Sequence, residues 1–162
     1  MNFRKILKRI SWVVLLSTVA VTLSLTYIVT LVRYAETETA ELNRYRVSIA
    51  AMPEVANVQS VHRFNGLKSY IVAHILHENG EDFYFFIRDG SVQHFFPIPD
   101  LITIQTAHTL ALQQIPGGNI HRTQVGILDD IPIFEVQIQF EGSVHYIVIN
   151  AESHEIMMQF YT

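Results

Sequence analysis

The sequence predicts an α+β fold in which an N-terminal transmembrane helix precedes two tandem units, each with one helix packed on an antiparallel β-sheet of about four strands. Two observations predict it. An uncharged apolar segment, residues 11–32, lies near the N-terminus, and the order of one helical segment and several short β-rich segments then occurs twice, about sixty residues apart. A unit of about 60 residues is only marginally stable alone, so we expect the two units to pack against each other.

Residues 11–32 are long enough for a membrane-spanning helix, which needs about 20 apolar residues. Four basic side chains lie within residues 1–10, whereas acidic side chains soon follow Arg33. The positive-inside rule therefore places the N-terminus in the cytoplasm and the later residues outside the cell membrane. A cleavable signal peptide is the alternative, but its apolar region is usually about 7–15 residues and ends in small residues that LVRYAE does not supply. We expect an uncleaved single-pass anchor.

The sequence contains no cysteine and its charges are unevenly distributed. Disulfides, thiolate nucleophiles, thiolate metal sites and a cysteine-linked lipid anchor are therefore excluded. All fifteen Asp and Glu side chains, but only six of the eleven Lys and Arg side chains, follow Arg33, which leaves residues 34–162 with a net charge of −9. No basic stripe is available to bind nucleic acid phosphates. We expect a protein partner and no nucleic acid.

The first domain, residues 34–97, is predicted to begin with a helix that ends at Pro53. Its apolar residues at helical spacing are Leu42, Tyr45, Ile49 and Met52. An alternative is that residues 34–46 continue the anchor as a coiled-coil stalk, but they make fewer than three heptads. Four short β-rich segments follow, VQSVHRF, SYIVAHIL, FYFFI and SVQHFF, separated by the turn signals Asn65-Gly66, ENGED and Asp89-Gly90. We expect antiparallel hairpins.

The second domain, residues 98–162, repeats this order. We expect Asp100 to cap a helix over LITIQTAHTLALQQI, and Pro116-Gly117-Gly118 to end it. The strands NIHRTQVGIL, IFEVQIQF, VHYIVIN and EIMMQFY follow, with turns at Asp129-Asp130, Glu141-Gly142 and AESH. In IFEVQIQF, apolar and polar residues alternate, so one face of this strand is predicted to lie in the core and the other in solvent.

FYFFI, in the first domain, is apolar on both faces, and we place its second face at the domain junction or, alternatively, at a partner interface.

Parts of both halves resemble a known family. The second half is similar to a PepSY domain in Ala107, Ala111-Leu112, Ile115-Pro116-Gly117-Gly118, the strand Phe134-Glu135-Val136 and the closing run YIVINAESHEI. The first half, VANVQSVHRFNGLKSYIVAHILHENGEDFYFFIRDGSV, resembles the partner unit of the TseB-like cell wall elongation regulators of Gram-positive bacteria, YpmB-like proteins with tandem PepSY-like domains. Their layout of a short cytoplasmic tail, one anchor and two related domains also matches.

The resemblance implies two PepSY-like, cystatin-like units in an extracytoplasmic accessory protein that is not an enzyme. It further implies that the protein regulates peptidoglycan elongation by binding a penicillin-binding transpeptidase at the membrane. The alternative is a PepSY-type inhibitor or chaperone of a secreted or membrane peptidase. One departure is that Asn150 and Ser153-His154-Glu155 stand where PepSY units commonly have Asp and Thr-Gly-Glu.

The sequence does not assemble a catalytic, cofactor-binding or metal site. His74 and His77 lie three residues apart in a strand and so leave on opposite faces; an HExxH motif is absent. No serine lies in a G-x-S-x-G motif, and the acid pairs Glu81-Asp82 and Asp129-Asp130 lie in turns, where they are solvated. We therefore predict no site residues and no cofactor.

The first places at which we would look for a protein interface are the polar faces of the sheets, the FYFFI strand and the aromatic cluster His94-Phe95-Phe96. Core packing is the alternative role for each of these aromatic residues.

Overall fold

The computed structural model describes the backbone of residues 3–162 and the side chains of residues 12, 14 and 16–162. The basic side chains of the predicted cytoplasmic tail lie outside the described ones. The elements are α1 (Phe3–Ala50), β1 (Val55–Asn65), β2 (Ser69–His77), β3 (Asp82–Arg88), β4 (Ser91–Pro97), a 3₁₀ turn (Ile98–Asp100), α2 (Ile104–Gln114), β5 (Asn119–Leu128), β6 (Ile131–Phe140), β7 (Ser143–Asn150) and β8 (Ile156–Tyr161). The predicted α+β class, with an N-terminal apolar helix and two four-stranded antiparallel sheets, is confirmed.

The chain divides into two compact units, a helical unit (Met1–Glu41) and a body (Leu42–Thr162). The body contains both sheets, and the predicted domain boundary at residues 97 and 98 stays a prediction. Although the anchor and the first helix of the first domain are predicted as separate helices, they belong to one continuous helix, α1. No glycine or proline precedes Pro53, so nothing in the sequence breaks the helix before that residue.

The helical unit has features that suit an apolar environment. The stretch Leu16–Ala50 of α1 is long enough to cross a membrane, and it contains an 18-residue window with a mean hydropathy of 1.6. The hydroxyl groups of the serines and threonines within residues 16–41 donate hydrogen bonds to carbonyl oxygens about one turn earlier, for example Thr22 to Thr18 and Thr26 to Thr22, both at 2.9 Å. These bonds satisfy polar groups that would otherwise be costly to place in lipid.

In the body, the strands of each sheet follow the order of the chain, β1-β2-β3-β4 and β5-β6-β7-β8, and all pairs are antiparallel. Three of the predicted turns are two-residue hairpin turns with positive φ at both positions, at 52° and 77° in Asp89-Gly90, 49° and 66° in Asp129-Asp130, and 50° and 85° in Glu141-Gly142. Positive φ at both positions is typical of the type I′ turn, which matches the twist of the adjoining strands. These turn predictions are confirmed.

The N-cap of α2 is Thr103, and the prediction of Asp100 is wrong. Asp100 belongs to the 3₁₀ turn that begins after Pro97, and Leu101 is extended, so the helix cannot start at that point. The hydroxyl of Thr103 instead accepts a hydrogen bond from the backbone N–H of Thr106 at 3.1 Å. At the other end, Gly117 has a φ of 84°, as expected after a helix C-terminus.

Two hydrophobic clusters stabilise the body. The larger one joins one face of the first sheet with the second sheet and with Ala107 and Ala111 of α2. The smaller one joins the other face of the first sheet with the end of α1, where Ile49 is fully buried. In β3, Tyr84 and Phe86 belong to the larger cluster and Phe85 and Ile87 to the smaller one. The placement of the FYFFI strand at the junction is therefore confirmed.

The predicted alternation in β6 is also confirmed. Phe134, Val136 and Ile138 are buried, whereas Glu135 and Gln137 are half-buried on the opposite face. There, the carboxylate of Glu135 accepts hydrogen bonds at 3.0 Å from the side-chain amide of Gln137 and from that of a neighbouring β5 glutamine, Gln124.

Candidate interaction surface

A groove lies on the face of the first sheet that carries the end of α1, toward the edge formed by β4. Its volume is about 370 Å³. The residues that line it are Glu54, His77, Phe83, Phe85, Val92 and Phe95. We call it the aromatic groove. The end of α1 packs on this face through Leu42, Tyr45 and Ile49, together with Met52.

Three phenylalanine rings form the floor of the aromatic groove. The ring centroids of Phe83 and Phe95 are 6.3 Å apart, and that of Phe85 lies 6.5 Å from each of the other two. Exposure increases toward the sheet edge, from 7% at Phe85 on β3 to 63% at Phe95 on β4. An exposed phenylalanine on an aromatic floor has apolar surface available for burial by another molecule.

A β-bulge at Gln93 makes this groove. Phe95 pairs with Phe85 and Val92 pairs with Ile87, while Gln93 has no partner opposite it. Because the side chains of β3 residues 85 and 87 point to the same face, Val92 and Phe95 also share a face although they are three residues apart. The side-chain amide of Gln93 donates a hydrogen bond to the Ser91 hydroxyl at 2.7 Å beside the bulge.

One end of the aromatic groove is acidic. Glu54 lines it, and the backbone N–H of Glu78 donates a hydrogen bond to the backbone carbonyl of Glu54 at 3.0 Å, which holds the two residues together. Both residues are exposed, as is the nearby Glu81. The body as a whole has six Lys and Arg side chains against twelve Asp and Glu side chains, a net charge of −6.

β4 is the edge strand of its sheet, so its outer backbone groups have no strand partner. Of the predicted aromatic cluster on this strand, only Phe95 is exposed. Phe96 packs against the larger hydrophobic cluster, and the ring of His94 stacks on that of Phe96 at 6.5 Å. Core packing therefore describes Phe96, whereas Phe95 belongs to the surface.

A second apolar surface lies on β8, the edge strand of the other sheet. Met158, Phe160 and Tyr161 are 47%, 40% and 74% exposed, and the ring of Phe160 stacks on that of Tyr146 with centroids 4.8 Å apart. The aromatic groove differs from this surface because it combines a concave apolar floor with adjacent acidic groups.

Among the described residues, the structure separates the two histidines that lie three residues apart in the sequence. His74 and His77 lie on opposite faces of β2, as predicted: the Nε2 atom of His74 is 3.0 Å from Oδ1 of Asp82, whereas His77 lines the aromatic groove. That aspartate oxygen also accepts a hydrogen bond from the Gln59 amide at 2.7 Å. No three His, Asp or Glu side chains of residues 16–162 converge on a point that could hold a metal ion.

Ser91 and the acid pair Asp129-Asp130 lie in or beside hairpin turns. The hydroxyl of Ser91 donates to the backbone carbonyl of Arg88 at 3.3 Å. Asp129 and Asp130 form the turn between β5 and β6, and Oδ1 of Asp130 lies 3.3 Å from Nε2 of His94. The Ser91 contact is local to its turn, whereas the Asp130 contact joins the second sheet to β4 of the first.

The sequence pattern does not distinguish Phe95 from its aromatic neighbours, and it gives no role to Glu54. A signal for the groove was present in the sequence, since SVQHFFP contains no charged residue to protect a strand edge. The bulge at Gln93, which determines the face on which each β4 side chain lies, could not be predicted from the sequence.

No protein-family model matches the sequence, and no curated protein sequence matches it. Among solved structures, a protein described as a lipoprotein from Clostridium difficile 630 aligns with a TM-score of 0.41 at 11% identity, over 80% of this chain and 92% of that chain. The YpmB protein from Bacillus subtilis aligns with a TM-score of 0.59 at 14% identity, over 78% of this chain and 96% of that chain. The chain therefore shares its fold with the YpmB protein.

Proposed function

We propose that this protein is a membrane-anchored extracytoplasmic accessory protein that regulates peptidoglycan elongation by binding a penicillin-binding transpeptidase. The observation that carries the proposal is the aromatic groove, in which Phe95 is 63% exposed on an edge strand beside Phe83 and Phe85. Exposed apolar surface of this kind marks interaction sites on soluble domains. The specific process comes from the resemblance to the TseB-like regulators, and the fold shared with the YpmB protein supports it.

The fold of each repeat is proposed to be a PepSY-like, cystatin-like unit of one helix on one sheet. The end of α1 packs on the first sheet through Ile49, and α2 packs on the second through Ala107 and Ala111. These contacts support a duplicated unit.

The membrane is proposed to bring the protein to its partner. In this arrangement residues 11–32 of α1 form a single-pass anchor, residues 1–10 are cytoplasmic and the body lies outside the cell membrane. Two proteins held in one membrane have a high effective concentration relative to each other, so a contact of modest affinity is sufficient for regulation. A groove of about 370 Å³ suits such a contact.

Crosslinking in growing Gram-positive cells tests this function. The full-length chain with an affinity tag would be crosslinked with formaldehyde and purified under denaturing conditions, and its crosslinked partners would be identified by mass spectrometry. An unrelated single-pass protein with the same tag and expression level is the control. We expect enrichment of a penicillin-binding protein over the control. Enrichment of a peptidase alone would instead favour the inhibitor or chaperone function and would contradict the proposal.

The role of the anchor has its own test. Residues 1–33 would be replaced by a cleavable signal peptide, with residues 34–162, which include the whole body, left intact. We expect the secreted body to be folded and the regulation of wall elongation to be reduced, because the effective concentration is lost. Full regulation by the secreted body would show that the anchor is not needed.

A further inference from the structure

We propose that the aromatic groove binds an extended, positively charged segment of the partner protein, which adds to the edge of β4 as a fifth strand. An apolar side chain of that segment would lie on the floor formed by Phe83, Phe85 and Phe95, and a Lys or Arg side chain would lie beside Glu54 and Glu78. This inference rests on the proposed function, that the protein acts by binding a partner, and it specifies the surface and the chemistry of the bound segment.

The edge of β4 supports strand addition. An extended peptide can form main-chain hydrogen bonds with an exposed sheet edge while its alternate side chains enter adjacent pockets. Proteins usually protect such edges with charged side chains, proline, or bulges. No charged residue lies within Ser91–Pro97, and its proline is the last residue of the strand. The bulge at Gln93 interrupts the first part of the edge, so the part available for pairing is His94–Phe96, beside the groove.

The volume of the aromatic groove fits side chains of a peptide. At about 370 Å³ it is at the small end of the range of about 300–1,000 Å³ for ligand pockets, so it holds one or two apolar side chains. Its floor is continuous with the edge strand, because Phe95 and Val92 of β4 belong to the lining. A strand beside β4 would lie about 4.8 Å from it and would place alternate side chains over this floor.

Charge selects the class of partner. Glu54 lines one end of the groove, the backbone N–H of Glu78 donates a hydrogen bond to the Glu54 carbonyl, and the body has a net charge of −6. A second copy of the chain would bring the same acids close together, and an anionic lipid surface would be repelled in the same way. A cationic segment gains favourable electrostatic energy at this position, so it is the occupant that the charges favour.

The test measures binding of a fluorescein-labelled peptide to the full chain in phosphatidylcholine nanodiscs. The peptide sequence is Lys-Thr-Phe-Thr-Val-Thr, so that its Lys, Phe and Val side chains share one face of an extended strand. Two comparison peptides carry Glu in place of Lys, or N-methyl groups at alternate backbone nitrogens. Binding would be followed by fluorescence anisotropy. We expect the cationic peptide to bind at least about tenfold more tightly than the Glu peptide, and the N-methylated peptide not to bind, because it cannot pair with a strand.

Two pairs of protein variants locate the site. Phe95→Ser should weaken binding by at least about tenfold, whereas the control Leu67→Ser, at a side chain that is 80% exposed in the turn between β1 and β2, should leave binding unchanged. Glu54→Lys should reverse the preference in favour of the Glu peptide, whereas Glu152→Lys in the turn between β7 and β8 should not. All four positions are exposed, so the fold tolerates these changes.

Equal binding of the cationic and Glu peptides, or undiminished binding by Phe95→Ser, would overturn the inference. A dimer of the full chain that Phe95→Ser dissociates would also overturn it, in favour of a second copy as the occupant. Crosslinking of the same variants in cells separates the two proposals. If a penicillin-binding protein is still crosslinked to Phe95→Ser, the proposed function is supported and the aromatic groove is not its binding site. If the peptide binds to the groove but only a peptidase is crosslinked in cells, the binding site is supported and the proposed function is contradicted.

Discussion

The Nε2 atom of His62 on β1 lies 3.1 Å from the backbone carbonyl oxygen of Val125 on β5, and this contact joins the two sheets of the body. Burial is the largest cause of the lowered pKa of His62, and the positive charge of Arg122 lowers the pKa further, whereas the hydrogen bond to the Val125 carbonyl acts in the opposite direction. The imidazole is therefore neutral in the folded protein at neutral pH, and it donates from Nε2.

This relationship predicts a loss of stability in acid. Because the pKa of His62 is lower in the folded state than its ordinary value of about 6.5 in the unfolded state, the unfolded state binds more protons below that pH. The contribution of His62 is therefore fully present above about pH 6.5 and is lost as the pH falls through the folded-state pKa. Urea unfolding of the full chain in a neutral detergent, followed by near-ultraviolet circular dichroism from pH 7 to pH 5, measures this effect.

We expect His62→Gln to reduce the loss of unfolding free energy on acidification, since the glutamine amide can donate to the same carbonyl without titrating. His121→Gln, at an exposed position of β5, is the matched control and should retain the pH dependence of the unchanged protein. The same pH dependence in His62→Gln as in the unchanged protein would contradict this assignment.

The close contact of Gly126 with Phe64 predicts that Gly126→Ala destabilises the junction of the sheets. A Cβ atom on Gly126 would overlap ring atoms of Phe64, which is 2% exposed and cannot move away freely. We expect a loss of about 1–3 kcal/mol in unfolding free energy, as is usual for overpacked cores. In a double-mutant cycle with Phe64→Leu, the double variant should lose less than the sum of the two single losses. Strict additivity would contradict the contact.

The turn between β6 and β7 offers a stabilising substitution. Glu141 has a φ of 50° although glutamate is not favoured there, and Gly142 follows it with a φ of 85°. Glu141→Asn creates an Asn-Gly pair, the preferred sequence of a type I′ turn, and should raise the unfolding free energy by about 0.5–1 kcal/mol. Asp89→Asn, in a turn that already has Asp-Gly, is the control and should change it less. A loss of stability in Glu141→Asn would refute the role of the turn geometry.

The corrected cap of α2 is testable by alanine substitution. Thr103→Ala removes the hydroxyl that accepts from the N–H of Thr106 and should cost about 1 kcal/mol of unfolding free energy. Asp100→Ala removes an exposed carboxylate in the 3₁₀ turn and should cost less. Chemical denaturation of both variants measures the difference, and an equal or larger cost for Asp100→Ala would show that Asp100 is the more important residue.

Several elements of the fold were predictable from the sequence because their causes are local. The pairs Asp89-Gly90 and Glu141-Gly142 mark hairpin turns through the backbone freedom of glycine, and the alternation in β6 marks a strand with one buried face. The absence of charge in residues 11–32 similarly predicts an apolar helix. In each of these cases neighbouring residues alone determine the preferred backbone conformation.

The aromatic groove could not be predicted in this way. By alternation alone, Val92 and Phe95 would lie on opposite faces of β4, and Phe95 would have the same environment as its aromatic neighbours. The bulge at Gln93 reverses this order, because the face of each side chain depends on its pairing with β3.

The sequence by itself therefore determined the apolar helix, the strands and the hairpin turns of this protein, since short-range backbone preferences and hydrophobic periodicity specify them. Only the tertiary structure decided that Thr103 caps α2 and that Phe95 is exposed in the groove that Glu54 also lines. Each of these features depends on contacts between residues distant in the chain, or on competition between adjacent turns, and a local pattern contains neither kind of information.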